Sequence, residues 1–193
     1  MSAALPLVAK RPATGEEGEY AGPPTTVDTR LTMGHYYFFA ALGASRGIIH
    51  DATLITGQAR WQSEELQLCF EAPPDRVWFA LRLAPELGQE LPANSYALRS
   101  AAQPQAPVAV AYYYARQLAA SSQAHAQLAQ QLPFQQLTGH LTISVYHAQQ
   151  QLLSGYYEVR FTRPPDPATG LTGLGCTLLL AGEFEHLAVT RAT

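Results

Sequence analysis

Six histidines are the residues of this chain best suited to hold a metal ion or transfer a proton, because imidazole titrates near neutral pH and commonly ligates metals. His140 and His147 fall on one predicted β-strand. Their odd separation sends the two side chains to opposite faces of a regular strand, so the pair cannot share a metal without a bulge. We predict no metal site and no cofactor. The other histidines are His35, His50, His125 and His186.

Two further arrangements contain the residue types of an acid–base site. Glu183 and Glu185 share one face of a strand, and His186 follows, but paired catalytic carboxyl groups converge across a cleft. Neighbours on one exposed strand are more typical of a solvated edge whose charges oppose aggregation. His50 and Asp51 are adjacent, and a carboxylate can orient an imidazole, yet adjacency does not set two side chains face to face. We interpret Asp51 as a turn residue.

The signatures of common enzyme classes are missing from the sequence. It contains no GxSxG elbow, no phosphate-binding glycine loop, no HExxH helix and no dinucleotide fingerprint. We therefore name no catalytic residue and favour a non-enzymatic protein. An enzyme with an unrecognised site is the alternative, and it would require acidic and imidazole groups from distant strands to converge.

Clusters of aromatic residues are candidates for a ligand-binding site that has no catalytic role. Tyr112, Tyr113 and Tyr114 are consecutive, so at least one of them faces solvent or a cavity if they lie on a strand, and the run 36–39 behaves likewise. Trp78 lies opposite the apolar face of its own strand. Exposed tyrosines can bind sugars and protein partners. The simpler interpretation is a structural role, in which the tyrosine ring packs at the edge of the β core and its hydroxyl contacts water. Trp78 and the three tyrosines are the predicted ligand-binding residues.

Composition limits the functional classes to which the protein can belong. With 193 residues, 47% of them hydrophobic, the chain can bury the core of one domain. A net charge of -3 with 12 lysines and arginines gives no basic surface for nucleic acid. No apolar run reaches the roughly 18 residues of a transmembrane helix, and the N-terminal segment does not resemble a signal peptide. Cys69 and Cys176 form no CxxC pair, and whether they pair with each other stays open.

The elements that must position these residues are short β-strands. Apolar residues alternate with polar ones in 66–70 and 77–83, and turn residues separate the two segments. The segments 141–146 and 156–161 alternate in the same way around a polar connection suited to a hairpin. The sequence predicts a mainly β fold, an antiparallel β-sandwich or barrel of about nine to ten strands. Alternation alone does not separate these two architectures.

Three segments depart from this pattern. Residues 117–132 are rich in alanine and glutamine, contain no β-branched residue and precede Pro133, which predicts one surface helix. Residues 10–30 are rich in proline, glycine, threonine and glutamate, which predicts a flexible leader over 1–30 before a single β domain, 31–193. Gly182 interrupts the last apolar segment and predicts a bulge or bend.

Four short stretches suggest a family. They are NSYAL at 94–98, GHLTI through YH at 139–147, LSGYY at 153–157 and GEFEHL at 182–187. In these stretches the C-terminal half resembles a group of small β-rich lipoproteins of unknown function from Bacteroidota. The resemblance implies a β fold and a location in the cell envelope or periplasm. Members carry an N-terminal lipid-modified cysteine, whereas no cysteine precedes Cys69 here, and His147 replaces their usual aspartate.

These observations predict a bacterial cell-envelope β-sandwich domain that binds a ligand or a protein partner through an aromatic face, without catalysis. A calycin-like β-barrel carrier of a small apolar ligand is a second possibility, and it requires inward residues small enough to leave a cavity. An enzyme with an unrecognised site is the third. The sequence names no ligand and no oligomeric state.

Overall fold

The computed structural model describes residues 28–39, 44–73, 75–83, 91–119, 122–129, 136–162 and 176–191. These residues form eleven β-strands and one short 3-10 helix, Ala52–Leu54. The strands are β1 (Arg30–Phe39), β2 (Ala44–Ile49), β3 (Thr56–Gln62), β4 (Glu65–Ala72), β5 (Asp75–Arg82), β6 (Asn94–Ala97), β7 (Val108–Ala119), β8 (Ser122–Ala129), β9 (Gln136–His147), β10 (Leu152–Thr162) and β11 (Cys176–Arg191). The predicted leader lies almost wholly outside the described residues. The described part of the chain contains no helix long and apolar enough to cross a membrane.

One sheet contains all of these strands. Its order is β6-β9-β10-β11-β3-β4-β5-β7-β8, and β1 pairs with β11 on one side and β2 on the other. After β6 the chain reaches β7, where the Arg99 N–H donates to the Val108 carbonyl at 2.6 Å. This contact brings the β6 end of the path against β7, the strand before the other end, so the sheet curls into a nearly closed barrel. The predicted mainly β fold is confirmed, and the architecture is barrel-like.

Alternating apolar residues fill the barrel as the periodicity predicts. On β4 and β5 the inward residues, among them Leu66, Leu68, Val77 and Leu81, are fully buried. Four aromatic rings meet at the centre with centroids 4.9–6.4 Å apart, and they belong to Phe70, Phe79, Tyr157 and Phe184. These rings occupy the space that a calycin-type carrier keeps for its ligand.

The predicted surface helix over 117–132 is wrong in its described part. β7 continues to Ala119, and Ser122–Ala129 form β8, which pairs antiparallel with β7. Alanine and glutamine favour a helix in isolation, but that preference amounts to only a few tenths of a kcal/mol per residue. The cross-strand backbone hydrogen bonds between β7 and β8 outweigh this small preference.

The last hairpin has an irregular register. Opposite β10, Val145 faces Ser154 whereas Ile143 faces Gly155, so Ser144 is an extra residue in β9. β11 runs unbroken through Gly182, and its own register shift lies further on, near His186, whose φ is 54°. The predicted bend is therefore present in β11 but falls a few residues after Gly182.

Candidate functional site

A groove of about 310 Å³ crosses the outer face of the barrel over β1, β11 and β10. Met33 and His35 point into the barrel, so the alternate residues of β1, Gly34 and Tyr36, face outward. Gly34 lies opposite Ala181 of β11, and these two small residues form the floor. The groove is deep at this point because Gly34 has no side chain and Ala181 has only a methyl group, whereas larger side chains cover the surrounding sheet face.

Two tyrosines and an isoleucine form the walls of the groove. Tyr36 and Tyr156 are 39% and 44% exposed, and Ile49 at the end of β2 is 74% exposed. The Tyr36 ring packs against Gly47 of β2, where a methyl group would approach the ring to 2.7 Å. The glycine thus makes room for the ring beside the backbone, and the Tyr36 side chain remains 39% exposed.

Two carboxylates give the groove a negative charge. Glu158 of β10 and Glu183 of β11 both line it. In the described part of the chain, the carboxylates that pair with a cation within 4.0 Å are others, Glu185 with Arg30, Glu71 with Arg76 and Asp75 with two histidines. Aromatic faces beside unpaired carboxylates suit a ligand that carries a positive charge.

A cluster of imidazole and carboxylate side chains lies inside the barrel, apart from the groove. Asp75 Oδ2 lies 3.1 Å from His35 Nδ1 and 3.0 Å from His50 Nε2. The side chains of His35 and Asp75 are each 5% exposed, and that of His50 is 12% exposed. The hydroxyl of Tyr112 lies 3.3 Å from the same Nδ1 of His35. Buried histidine and aspartate from distant strands are the residues that bind transition metals or move protons.

Strand parity and one hairpin bring this cluster together. His35 shares the inward face of β1 with Met33, and the β1–β2 pairing returns the chain so that His50 N–H donates to the Met33 carbonyl at 3.0 Å. Asp75 opens β5 on the same inward face as Val77. Tyr112 of β7 lies opposite Val77 in the sheet and is fully buried.

The protonation of His50 follows from its surroundings. Burial lowers the pKa of His50, the Asp75 carboxylate acts in the opposite direction, and His35 lowers it again. The net shift is downward, so the neutral imidazole is favoured at pH 7. Although Nε2 is within 3.0 Å of Asp75, it forms no hydrogen bond of acceptable geometry.

The predicted ligand-binding residues do not form one surface in this structure. Trp78 is half-buried on β5, Tyr112 is fully buried beside His35, and Tyr113 is 37% exposed on the opposite face of β7. The side chain of Tyr114 lies outside the described part. The aromatic residues that do flank a groove, Tyr36 and Tyr156, stand on other strands.

The other sequence candidates take structural positions. His140 and His147 both lie on β9, and the extra residue Ser144 between them turns both outward, far apart along the strand. Asp51 is the turn residue that the sequence predicts: its Oδ1 accepts from the Thr53 N–H at 2.9 Å and caps the 3-10 helix. Cys69 is a free, half-buried thiol, while the Cys176 side chain lies outside the description.

The sequence did carry one signal for the buried cluster. Asp75 keeps the parity of Val77, Phe79 and Leu81, so a strand that starts at residue 75 points its carboxylate into the core. A buried aspartate needs a hydrogen-bonding or charged partner, and a histidine is a suitable one. Which histidine supplies it depends on contacts between strands some 40 residues apart, which local patterns do not encode.

Comparisons with protein-family profiles, curated proteins and solved structures found no match for this chain. The resemblance to Bacteroidota lipoproteins accordingly stays a prediction. The outer groove and the buried cluster are the two places whose geometry bears on the function of the protein.

Proposed function

We propose that this protein is a non-enzymatic binding module whose outer groove takes an organic cation, an amine or quaternary ammonium group on a small molecule. The carrying observation is that exposed Tyr36 and Tyr156 flank two carboxylates, Glu158 and Glu183, that have no cationic partner among the described residues. This proposal keeps the predicted binding through an aromatic face and moves it to a different set of residues.

The chemistry of the groove favours a cation over a neutral ligand. The face of a tyrosine attracts an ammonium group, with roughly 0.5–2 kcal/mol gained per contact. A carboxylate adds a charge-assisted hydrogen bond to any N–H the ligand carries. Arg160 follows Glu158 on the outer face of β10, but the two form no ion pair, so the carboxylate stays available.

The size of the groove limits the ligand. About 310 Å³ is at the lower end of small-molecule sites, so the groove fits one amine-bearing group and not a folded partner. The floor of Gly34 and Ala181 provides no side-chain donor, so recognition falls to the rings, the carboxylates and the Thr32 hydroxyl at the groove edge.

Titration of ¹⁵N-labelled protein with choline tests the proposal, with glucose as the neutral probe. We expect choline to shift the amides of β1, β10 and β11 and glucose not to. Tyr156→Ala should weaken choline binding about two- to thirtyfold, which corresponds to one lost cation–π contact. Glu158→Gln should weaken it and reduce its salt dependence.

Tyr113→Ala and Glu65→Gln are the matched controls, since both change a residue outside the groove. Shifts that appear with glucose and not with choline would replace the cation by a carbohydrate. Equal choline binding by the groove variants and the control variants would refute the site. The cell-envelope location belongs to the same proposal, and only the resemblance supports it.

A further inference from the structure

We propose that His35, His50 and Asp75 form a metal site that binds one divalent transition ion, with Zn²⁺ as the best fit, and that this ion fastens the β1–β2 hairpin inside the barrel. Three ligand atoms, two imidazole nitrogens and one carboxylate oxygen, lie within 4.8 Å of one another. They come from β1, from the residue that follows β2, and from the start of β5. This site is separate from the outer groove.

His35 Nδ1 lies close to two oxygen atoms, Asp75 Oδ2 at 3.1 Å and the Tyr112 hydroxyl at 3.3 Å. A protonated Nδ1 has one N–H to share between these oxygens, and an unprotonated Nδ1 presents a lone pair to the carboxylate. A cation between His35 Nδ1 and Asp75 Oδ2 would bind both, because nitrogen and oxygen each direct a lone pair to it.

His50 gives a second, independent indication. Its Nε2 is buried and has no hydrogen-bond partner, although Asp75 Oδ2 is 3.0 Å away. An unsatisfied buried ring nitrogen is costly, and native structures contain few of them. Ligand atoms around a metal have this relationship to one another, since they are close together while each is aimed at the ion and not at its neighbour.

The donor set selects the metal class. Two imidazoles and one carboxylate suit Zn²⁺ and its first-row neighbours, whereas Ca²⁺ and Mg²⁺ prefer sites made of oxygen. These three ligands leave one position of a tetrahedral set open, and the Tyr112 hydroxyl lies nearby, 3.3 Å from His35 Nδ1. Because His35 and Asp75 are only 5% exposed, the site is closed to substrate, as structural metal sites are.

The position of the site indicates what the ion would do. β1 pairs with β11 and β2, whereas β5 pairs with β4 and β7, so no backbone ladder connects β1 to β5. An ion held by His35, His50 and Asp75 would cross-link two parts of the sheet that otherwise meet only through side chains. It would stabilise the folded chain by its binding free energy.

The test uses the untagged full-length protein, stripped with chelator and reloaded with Zn²⁺ or Co²⁺. We expect about one equivalent of tightly bound zinc after dialysis, and a rise in Tm of about 5–10 °C in excess zinc. The cobalt form should show the intense visible absorption of a tetrahedral site. Retention of well under half an equivalent, or a weak octahedral cobalt spectrum, would overturn the proposal.

Variants locate the site on these residues. Asp75→Asn and His50→Gln should each abolish zinc retention and the zinc-dependent rise in Tm. His140→Gln and His147→Gln, which replace histidines outside the cluster, should keep both. If Asp75→Asn fails to fold, His50→Gln and the cobalt spectrum of the unchanged protein still decide. Equal zinc binding by all four variants would also overturn the assignment.

Discussion

The Nδ1 atom of His35 and the hydroxyl of Tyr112 lie 3.3 Å apart, although 77 positions separate them in the chain. The two residues belong to β1 and β7, which are not neighbours in the sheet. Their contact therefore crosses the interior of the barrel. Polar groups buried together in this way are costly to disturb singly, because each leaves a partner without compensation.

Replacing Tyr112 by phenylalanine should measure this contact. The ring stays, so the core keeps its volume, while the hydroxyl beside His35 is lost. We expect the free energy of unfolding in chelator to fall by about 1–2 kcal/mol, measured by urea denaturation with circular dichroism. Tyr156→Phe removes an exposed hydroxyl and should change stability by less than about 0.5 kcal/mol. Equal effects of the two variants would mean that the Tyr112 hydroxyl contributes nothing specific.

Tyr157→Phe should behave in the opposite way. The Tyr157 hydroxyl is buried against Gly182 and has no hydrogen-bond partner. Removing an unsatisfied buried hydroxyl recovers its desolvation cost, so we expect unchanged stability or a gain of up to about 1 kcal/mol. Urea denaturation with unchanged m-value would show this result. A clear loss of stability would mean that the hydroxyl does have a partner in solution.

The same hydroxyl predicts a pH dependence at the alkaline end. Burial raises the pKa of Tyr157 far above its ordinary value, so the neutral form is retained in the folded state. The unfolded chain loses this proton near pH 10, and stability should therefore be intact below about pH 10 and decline above it. Thermal unfolding from pH 8 to pH 11 measures the decline. Tyr157→Phe should flatten it, whereas Tyr156→Phe should not.

Gly47→Ala tests how the groove is built. A methyl group at this position would lie 2.7 Å from the Tyr36 ring, so the ring must lift away from β2. We expect weaker choline binding in the amide titration, with little change in far-UV circular dichroism. Ser45→Ala alters another residue of β2 outside the groove lining and should leave binding intact. Unchanged binding by Gly47→Ala would show that the position of Tyr36 does not matter.

Local alternation was sufficient to predict the fold class but not the partners of each strand. Side chains such as Leu68, Phe79 and Val159 are buried where period-two patterns place them, because a strand with one inward face needs apolar residues at every second position. The same logic was wrong for β8 (Ser122–Ala129), since its alanine and glutamine composition follows helix propensity while the free edge of β7 decides the outcome.

The candidate sites were harder to predict for a different reason. In the sequence the carboxylate next to His50 is Asp51, yet the carboxylate next to it in the structure is Asp75, which the chain reaches only after β3 and β4. The groove likewise depends on Tyr36 and Tyr156, whose strands are both neighbours of β11. Spacing within one segment predicts which face of the strand a residue occupies. Predicting a site formed by several strands also requires the order of those strands in the sheet.

β11 (Cys176–Arg191) also has a consequence for how the protein is made. It forms the ladder with β1 on one side and with β10 on the other, and its last residues, Val189 to Arg191, pair in parallel with β3. During synthesis, β1 and β3 leave the ribosome long before this strand exists. The nascent chain must therefore hold unpaired strand edges until β11 has been synthesised, a period when they are open to aggregation and to chaperones. Because these pairings span much of the chain, we expect slow folding that is limited by the arrival of β11.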